Sequence, residues 1–271
     1  MSHAIIIPIY CENRNTINLC NQLQNFGAEH IVVVNDGLNP KSEYFNELTS
    51  IGCHLVHLKN NNGKGASLKA GIKYAHDNLY NITGYITCDA DGQHTANDVM
   101  KISRMLDLRN GSLILGKRDY KKSKMPINIR IGNRLSSAYF KVITGKSCKD
   151  TQTGLRGIPA FLYDTVMKTK GSRFDFEMNF LTKCADMRVP FYFVNIIADC
   201  SNCSSNFRLI KDTYLIYRTP LRFATASIGC TIIDLVLFTI FAYILPSHMF
   251  FNIMLATLMA RLVSGGINFL I

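Results

Sequence analysis

The sequence predicts an α/β protein in which a mostly parallel β-sheet is flanked by helices and followed by two C-terminal transmembrane helices. Three observations support this fold class. Short apolar runs alternate with longer segments of helical periodicity through the first half of the chain. Polar residues follow these apolar runs, at the sheet edge where open α/β sheets bind ligands. From residue 223 onward only two side chains are charged, Asp234 and Arg261.

The first apolar run, 4–10, is short and uncharged, which is typical of a strand buried on both faces of a parallel sheet. Similar runs recur along the chain, and a segment of helical character follows each of them. The predicted strands are 4–10, 30–37, 53–58, 85–88 and 112–115, and the predicted helices are 13–26, 42–50, 65–78, 98–108 and 127–143. This alternation predicts βαβ units with right-handed crossovers.

Two carboxylates one residue apart, Asp89 and Asp91, directly follow the fourth predicted strand. Carboxylate oxygens are ligands that Mg²⁺ and Mn²⁺ prefer, and such ions commonly carry a diphosphate. Thr95 and Asp98 then have the spacing of a capping box at a helix start. The alternative is a polar turn, because Asp and Gly are turn formers.

Other polar residues follow neighbouring strands and should meet at the same edge of the sheet. Asp36 is placed to bind a ribose or a base, and Lys64, between two glycines, to reach a phosphate. The spacing around Lys64 does not match a P-loop. Each residue could instead serve a turn or a cap. The predicted nucleotide-binding residues are Pro8, Tyr10, Glu12, Asp36, Asn62, Lys64, Asp89 and Ala90.

Positive charge is concentrated ahead of the apolar tail. The formal net charge is +11, and residues 104–149 hold twelve Lys or Arg against two Asp. Arg130 and Arg134 are four apart on a predicted helix and suit an anionic phosphate. A solvated basic face or a membrane-surface patch is the alternative. No nucleic-acid partner is expected, because the basic groups adjoin a membrane-like tail and not an aromatic platform.

The apolar tail predicts two membrane spans, 223–245 and 250–271, the second interrupted by Arg261. Arg261 should pair, with Asp234 for example, or line an interface. Basic residues just before the first span place residues 1–222 in the cytoplasm, with 207–222 as an interfacial helix. No secretory signal precedes the first strand, and nine cysteines fit a reduced compartment. We expect a multi-pass cell-membrane protein divided into 1–206, 207–222 and 223–271.

The motifs Pro8–Glu12, Asn35–Gly37, Asn62–Gly65 and Asp89–His94 stand in an order and spacing that resemble family 2 glycosyltransferases. The chain is most similar to the dolichyl-phosphate mannose synthase and polyprenyl-phosphate glycosyltransferase branch, over about residues 4–200. The resemblance implies a GT-A-type catalytic domain in which Asp89, Asp91 and Gln93 hold Mg²⁺ or Mn²⁺. The tail resembles the start of a GtrA-like membrane domain, with two of its usual four spans, as in a truncated product.

This resemblance implies inverting, metal-dependent transfer of one sugar to polyprenyl (undecaprenyl or dolichyl) phosphate for cell-envelope glycosylation. UDP-glucose, UDP-N-acetylglucosamine and GDP-mannose stay open as donors. The implied catalytic residues are Asp89, Asp91, Arg130 and Arg134, and the implied acceptor-phosphate residues are Lys117, Arg118, Arg130, Arg134 and Ser136. Membrane lipids are expected partners, and self-association is left open.

Two other functions compete with this one. A transferase acting on a glycan or another lipid would need a general base, for which Asp150, Asp175 or Glu177 could serve. A catalytically silent membrane partner that binds a nucleotide sugar is the second alternative.

Overall fold

The computed structural model describes residues 2–118, 127–197, 209–244 and 250–270. The chain divides into two compact units, Met1–Arg208 and Leu209–Ile271. The first unit is an α/β layer structure, and the second contains two long helices.

A seven-stranded sheet forms the centre of the first unit, in the order β3-β2-β1-β4-β6-β5-β7. β6 runs antiparallel to both of its neighbours, and the other pairings are parallel. The strands are β1 Ser2–Ile9, β2 His30–Asp36, β3 His54–Leu58, β4 Ile82–Thr87, β5 Leu113–Arg118, β6 Arg156–Pro159 and β7 Phe191–Ile196. The predicted mostly parallel α/β sheet is therefore confirmed.

Helices cover both faces of this sheet. In order along the chain they are α1 Arg14–Asn25, α2 Glu43–Ser50, α3 Lys64–Asn78, α4 Ala96–Leu108, α5 Ile127–Thr144, α6 Tyr163–Lys168 and α7 Asp175–Asp186, with a 3₁₀ turn at Ala160–Leu162. α8 Leu209–Ile244 and α9 Phe250–Leu270 form the second unit.

Alternation along β1 explains the layers, because successive strand residues point to opposite faces. Ile5 and Ile7 join a buried cluster with residues of α1, α2 and α4. Ala4 and Ile6 join a second cluster with residues of α3, α6 and α7. A strand buried on both faces therefore needs the continuous apolar run that the sequence shows.

The five predicted strands and five predicted helices correspond to β1–β5 and α1–α5, with ends that differ by a few residues. Asn13 and Ser42 cap α1 and α2 through their side chains. The predicted capping box forms only in part: the Thr95 side chain accepts from Asp98 N at 3.2 Å. The Asp98 carboxylate instead accepts from Ile197 N and Lys101 Nζ, at 3.0 and 2.7 Å.

In the second unit, α8 is one continuous helix from Leu209 to Ile244, which covers most of the predicted interfacial segment and of the predicted first span. Residues 207, 208 and 245 of these predictions lie outside the described residues. Within the described residues, only Ser227–Ile244 is apolar and long enough to cross a membrane, and the apolar stretch Ile253–Gly266 of α9 is shorter. The second predicted span therefore stays a prediction. Asp234 accepts a hydrogen bond from Ser264 Oγ at 2.9 Å, and the suggested pairing of Asp234 with Arg261 is not among the described ion pairs.

Candidate active site

The Asp89–Asp91 turn lies at the carboxyl end of β4, beside β1 in the sheet. The start of α1 holds it: Thr16 Oγ1 donates to Ala90 O at 3.2 Å and Asn15 Nδ2 to Asp91 O at 3.5 Å. Burial, the neighbouring Cys11 and the two aspartates raise the pKa of Tyr10 to about 12, so the tyrosine stays protonated beside the carboxylates.

Asp89 is surrounded on three sides. Lys64 Nζ lies 2.7 Å from its Oδ1, and His94 Nε2 lies 3.6 Å from its Oδ2. Gly154 closes the third side, because a Cβ built on this glycine would lie 2.1 Å from Asp89 Oδ2. Thr87 Oγ1 donates to Gly154 O at 2.7 Å and fixes that backbone. The carboxylate is therefore held in one position.

Lys64 bridges two carboxylates from distant parts of the chain. Its Nζ also lies 3.1 Å from Glu177 Oε1, at the start of α7. Burial disfavours the ammonium, but Asp89 and Glu177 outweigh burial and hold the pKa of Lys64 above its usual value. Burial likewise raises the pKa of Asp89, but Lys64 and His94 outweigh it and hold that pKa well below its usual value. Both groups are therefore ionised at neutral pH.

His94 is a buried residue to which the sequence assigned no role. Its side chain is 2% exposed, and among the described residues neither ring nitrogen has a hydrogen-bond partner. A buried polar group without a partner is costly. His94 Nε2, 3.6 Å from Asp89 Oδ2, is therefore placed to hydrogen-bond Asp89 after a small shift of the imidazole ring.

The predicted metal ligands Asp89, Asp91 and Gln93 lie together. Gln93 N and Nε2 donate to the two oxygens of Asp91, the first at 3.1 Å. Within the described residues, no group of three His, Cys, Asp or Glu side chains could hold a metal ion by itself. Two carboxylates nevertheless fit Mg²⁺ or Mn²⁺ if diphosphate oxygens complete the ligand set, because Mg²⁺ is usually bound by one or two carboxylates plus substrate phosphates.

Asp36 lies at the carboxyl edge of the sheet and also holds the loop at Asn62 and Gly63 in place. Its oxygens accept from Asn62 N at 2.7 Å and Gly63 N at 2.9 Å, and the residue is 4% exposed. The residue thereby fixes the segment that leads into Lys64. Of the other predicted nucleotide-binding residues, Pro8 is buried in β1, and Tyr10, Glu12 and Asn62 are exposed.

The predicted acceptor residues separate into an inward and an outward group. Arg118 is buried and pairs with Asp150 through two hydrogen bonds of 2.7 and 2.8 Å. Ser136 is also buried and accepts from Thr151 Oγ1 at 2.9 Å. These contacts favour structural roles for Arg118 and Ser136.

The outward group consists of Lys117, which is half-buried at the end of β5, and Arg130 and Arg134, which are exposed on α5. Large apolar side chains on α5 are exposed beside the arginines, namely Ile127, Ile131, Leu135 and Val142. Positions four apart lie on one face of a helix. α5 therefore presents an exposed face with a basic edge and an apolar edge.

Glu177, Gly154 and Arg156 complete the site. No role was predicted for Gly154 or Arg156, and Glu177 was considered only as a general base. Arg156 is 2% exposed and donates to Glu177 O at 2.9 Å and Thr151 O at 3.2 Å. It thus ties the start of α7 to the strand beside Asp89. The signal in the sequence is an arginine inside a short apolar block after a glycine.

The first unit is similar in sequence to known proteins. The family model described as "Glycosyl transferase family 2" matches residues 4–164. An uncharacterized protein of Methanocaldococcus jannaschii is 32% identical over 188 residues, which cover 65% of this chain and 73% of that protein. The UDP-N-acetylglucosamine–dolichyl-phosphate N-acetylglucosaminyltransferase of Methanococcus voltae is 29% identical over 172 residues, covering 56% of this chain and 67% of the relative.

Solved structures show the same fold. Glucosyl-3-phosphoglycerate synthase from Mycobacterium tuberculosis, in complex with UDP, has a TM-score of 0.62 at 12% identity, covering 82% of this chain and 79% of that chain. The same enzyme with Mn²⁺, UDP-glucose and glycerol 3-phosphate has a TM-score of 0.58 at 13% identity, covering 84% and 78%. At this level of identity the likeness concerns the fold, which is GT-A-like.

Proposed function

Because the chain belongs to glycosyl transferase family 2, we propose that it transfers one sugar from a nucleotide diphosphate sugar to the phosphate of a polyprenyl lipid. The observation that carries this proposal is the pairing of two features in one unit. The Asp89–Asp91 turn lies at the ligand-binding edge of the sheet, and α5 exposes arginines beside a row of apolar side chains.

The donor diphosphate is proposed to lie against Asp89, Asp91, Gln93 and Lys64. Mg²⁺ or Mn²⁺, when bound to the carboxylates, would neutralise charge that develops on the departing nucleotide diphosphate. Lys64 already lies beside this position, 2.7 Å from Asp89, so it can supply a second positive charge to the leaving group. The similarly folded glucosyl-3-phosphoglycerate synthase, crystallised with Mn²⁺ and UDP-glucose, supports a divalent ion.

The acceptor phosphate is proposed to bind near Arg130 and Arg134. Guanidinium groups suit phosphate recognition because their donors match its oxygens in pairs. The apolar edge, including Ile131 and Leu135, suits a lipid surface, since exposed apolar side chains beside basic ones are typical of helices at a membrane interface. The relative that is named for dolichyl phosphate supports a lipid acceptor.

No general base is required by this reaction. A phosphate oxygen is largely ionised near pH 7, because the second pKa of a phosphate monoester is about 6. The residues considered as bases are already engaged: Asp150 pairs with Arg118, and Glu177 pairs with Lys64. Asp175 Oδ1 accepts from Arg173 N at 2.9 Å. These contacts favour an ionised acceptor over a sugar hydroxyl.

The apolar stretch Ser227–Ile244 supports attachment to the cell membrane, and the basic residues before it support a cytoplasmic catalytic unit. Inversion at the anomeric carbon is proposed from the family resemblance. Transfer of a single sugar is favoured because the chain contains no Trp and so lacks the Gln-x-x-Arg-Trp motif of processive synthases.

The test uses full-length protein in detergent with undecaprenyl or dolichyl phosphate, Mn²⁺ or Mg²⁺, and a panel of radiolabelled UDP- and GDP-sugars. We expect butanol-extractable label with one donor, and a loss of roughly 10²-fold or more in Asp91→Ala, since electrostatic groups at developing charge contribute this much. Asp77→Ala, which changes an exposed aspartate on α3, is the control. Donor binding without lipid labelling would favour a glycan acceptor or a silent partner.

A further inference from the structure

Lys64 lies between carboxylates that come from different parts of the fold. It begins α3, Asp89 follows β4, and Glu177 lies in the first turn of α7. The Lys64 side chain is 17% exposed, and those of Asp89 and Glu177 are 20% and 11% exposed. An ion pair screened this well from water is stronger than one on the surface. The ammonium of Lys64 is therefore a close cationic partner of Asp89.

We propose that Lys64 competes with the divalent ion for Asp89, and that Glu177 retains the lysine once the ion has taken its place. This inference rests on the proposed function for a metal-dependent donor site, and it assigns roles to Lys64 and Glu177 that the family match does not give. The consequence is that the ion binds weakly until the donor arrives.

Electrostatics supports the competition. A divalent ion held by Asp89 brings two positive charges next to an ammonium that is 2.7 Å from the same carboxylate. The two cations repel one another, and the repulsion is strong at a poorly solvated site. The lysine stem is flexible, so its ammonium can leave Asp89 without a change in the backbone.

Glu177 gives the ammonium a second position. Glu177 Oε1 is already 3.1 Å from Lys64 Nζ, and the Phe174 ring centroid lies 5.8 Å from the same nitrogen. Arg156 holds the Glu177 main chain through its 2.9 Å hydrogen bond, which keeps the carboxylate in reach. A small rotation of the Lys64 side chain toward α7 would therefore leave its ammonium paired with Glu177 and no longer with Asp89.

The nucleotide diphosphate sugar then reduces the repulsion between the divalent ion and the Lys64 ammonium. A nucleotide diphosphate carries negative charge, so it can accept both the divalent ion and the ammonium. Binding of the ion and of the donor is therefore expected to be cooperative, because each lowers the cost of the other. A site of this kind binds little free metal ion and assembles when the substrate is present.

The first experiment measures Mn²⁺ binding without nucleotide, by electron paramagnetic resonance, on the full-length chain in detergent. We expect Lys64→Met to bind Mn²⁺ about tenfold more tightly than the wild type and to bind the nucleotide sugar with Mn²⁺ more weakly. Lys73→Met is the matched control, since Lys73 is on the same helix and pairs with Asp77 at the surface. This control should bind Mn²⁺ like the wild type.

A second variant separates competition from direct ligation. Glu177→Gln should weaken Mn²⁺ binding when Lys64 is present, because the displaced ammonium loses its second partner. The same change should have little effect in the Lys64→Met background. If Glu177 were itself a metal ligand, Glu177→Gln would weaken Mn²⁺ binding in both backgrounds. That result of the double-mutant cycle would overturn the proposal.

Equal or weaker Mn²⁺ binding by Lys64→Met also overturns the proposal, including the case in which neither protein binds the ion. Thermal unfolding checks that each variant is folded. If Lys64→Met does not fold, unchanged Mn²⁺ affinity in Glu177→Gln overturns the inference. If the protein transfers sugar to lipid but the variants show no change in Mn²⁺ affinity, the competition between Lys64 and the ion is rejected and the proposed reaction stands. If the Mn²⁺ affinities change as expected but no sugar is transferred to lipid, the proposed reaction is rejected and the competition stands.

Discussion

At the scale of single residues, the position of Asp89 depends on a glycine that makes no hydrogen bond to it. A Cβ at Gly154 would lie within 2.6 Å of three carboxylate atoms of Asp89. Real atoms do not approach so closely, so the carboxylate or the Gly154 backbone must move. The Gly154 carbonyl is held by Thr87 Oγ1, and the carboxylate is therefore the part that shifts.

Gly154→Ala is expected to lower sugar transfer by roughly 10²-fold, because a displacement of about 1 Å at a reacting centre has that effect. Its free energy of unfolding should fall by only about 1–3 kcal/mol, the usual result of overpacking. Gly132→Ala is the control, since its nearest new contact would be an ordinary 3.7 Å. Transfer rates and urea unfolding measure the two effects. An active Gly154→Ala protein would contradict the placement of Asp89.

The Arg118–Asp150 pair leads to a prediction about stability. Both side chains are buried, at 7% and 0% exposed, and their contact is bidentate. Asp150→Asn removes a charged, bidentate partner from a buried guanidinium and should lower the free energy of unfolding by about 3–5 kcal/mol.

Glu47→Gln provides the comparison for this pair. It breaks the Arg14–Glu47 pair, whose side chains are 77% and 41% exposed, and should cost no more than about 1 kcal/mol. Denaturant unfolding of both variants compares the two costs. A similar, small loss in both would show that Arg118 is satisfied by other groups and would reopen its assignment to the acceptor phosphate.

At the scale of secondary-structure elements, α5 combines exposed arginines with exposed apolar residues. Ile131 is 54% and Leu135 61% exposed. A soluble protein gains nothing from such a row, but a helix that meets lipid buries it. The basic and apolar edges together are therefore the feature of the first unit that most favours a lipid acceptor.

Replacing Ile131 and Leu135 together by Glu should raise the KM for a long-chain polyprenyl phosphate by about tenfold or more, since removing buried apolar area weakens lipid contact. The KM for the nucleotide sugar should not change. Leu108→Glu is the control, because Leu108 is 74% exposed at the end of α4. Initial rates in lipid nanodiscs, with both substrates varied, give the two constants. A shift in the donor KM alone would contradict a lipid-facing α5.

At the scale of the whole molecule, the sequence predicted those features that depend on neighbouring residues. Apolar runs and caps located β1–β5 and α1–α5, and the order of strands placed Asp89, Asp91 and Lys64 at one edge. The contact of Lys64 with Glu177 could not be predicted, because it joins residues far apart in the chain. The burial of Arg118 could not be predicted either, because its partner Asp150 lies 32 residues away.

The strand β6 was also missed, although it decides how the sheet is completed. It is four residues long and short of apolar side chains, so it has no strong periodic signal. Its antiparallel pairing to β4 and β5 is set by tertiary contacts. Propensity is a weak guide where packing determines the pairing.

The position of β6 has a consequence for synthesis on the ribosome. Strands β3, β2, β1 and β4 are complete once the chain has been made to Thr87, but among the described strands β5 pairs with β6 and β7, which come later. A nascent chain that has not reached Pro159 therefore exposes the edge of β4 and a hydrophobic, unpaired β5. Exposed strand edges template association with other chains. While synthesis proceeds from residue 118 to residue 159, β4 and β5 lack their shared partner β6, and association with other chains is favoured in that interval.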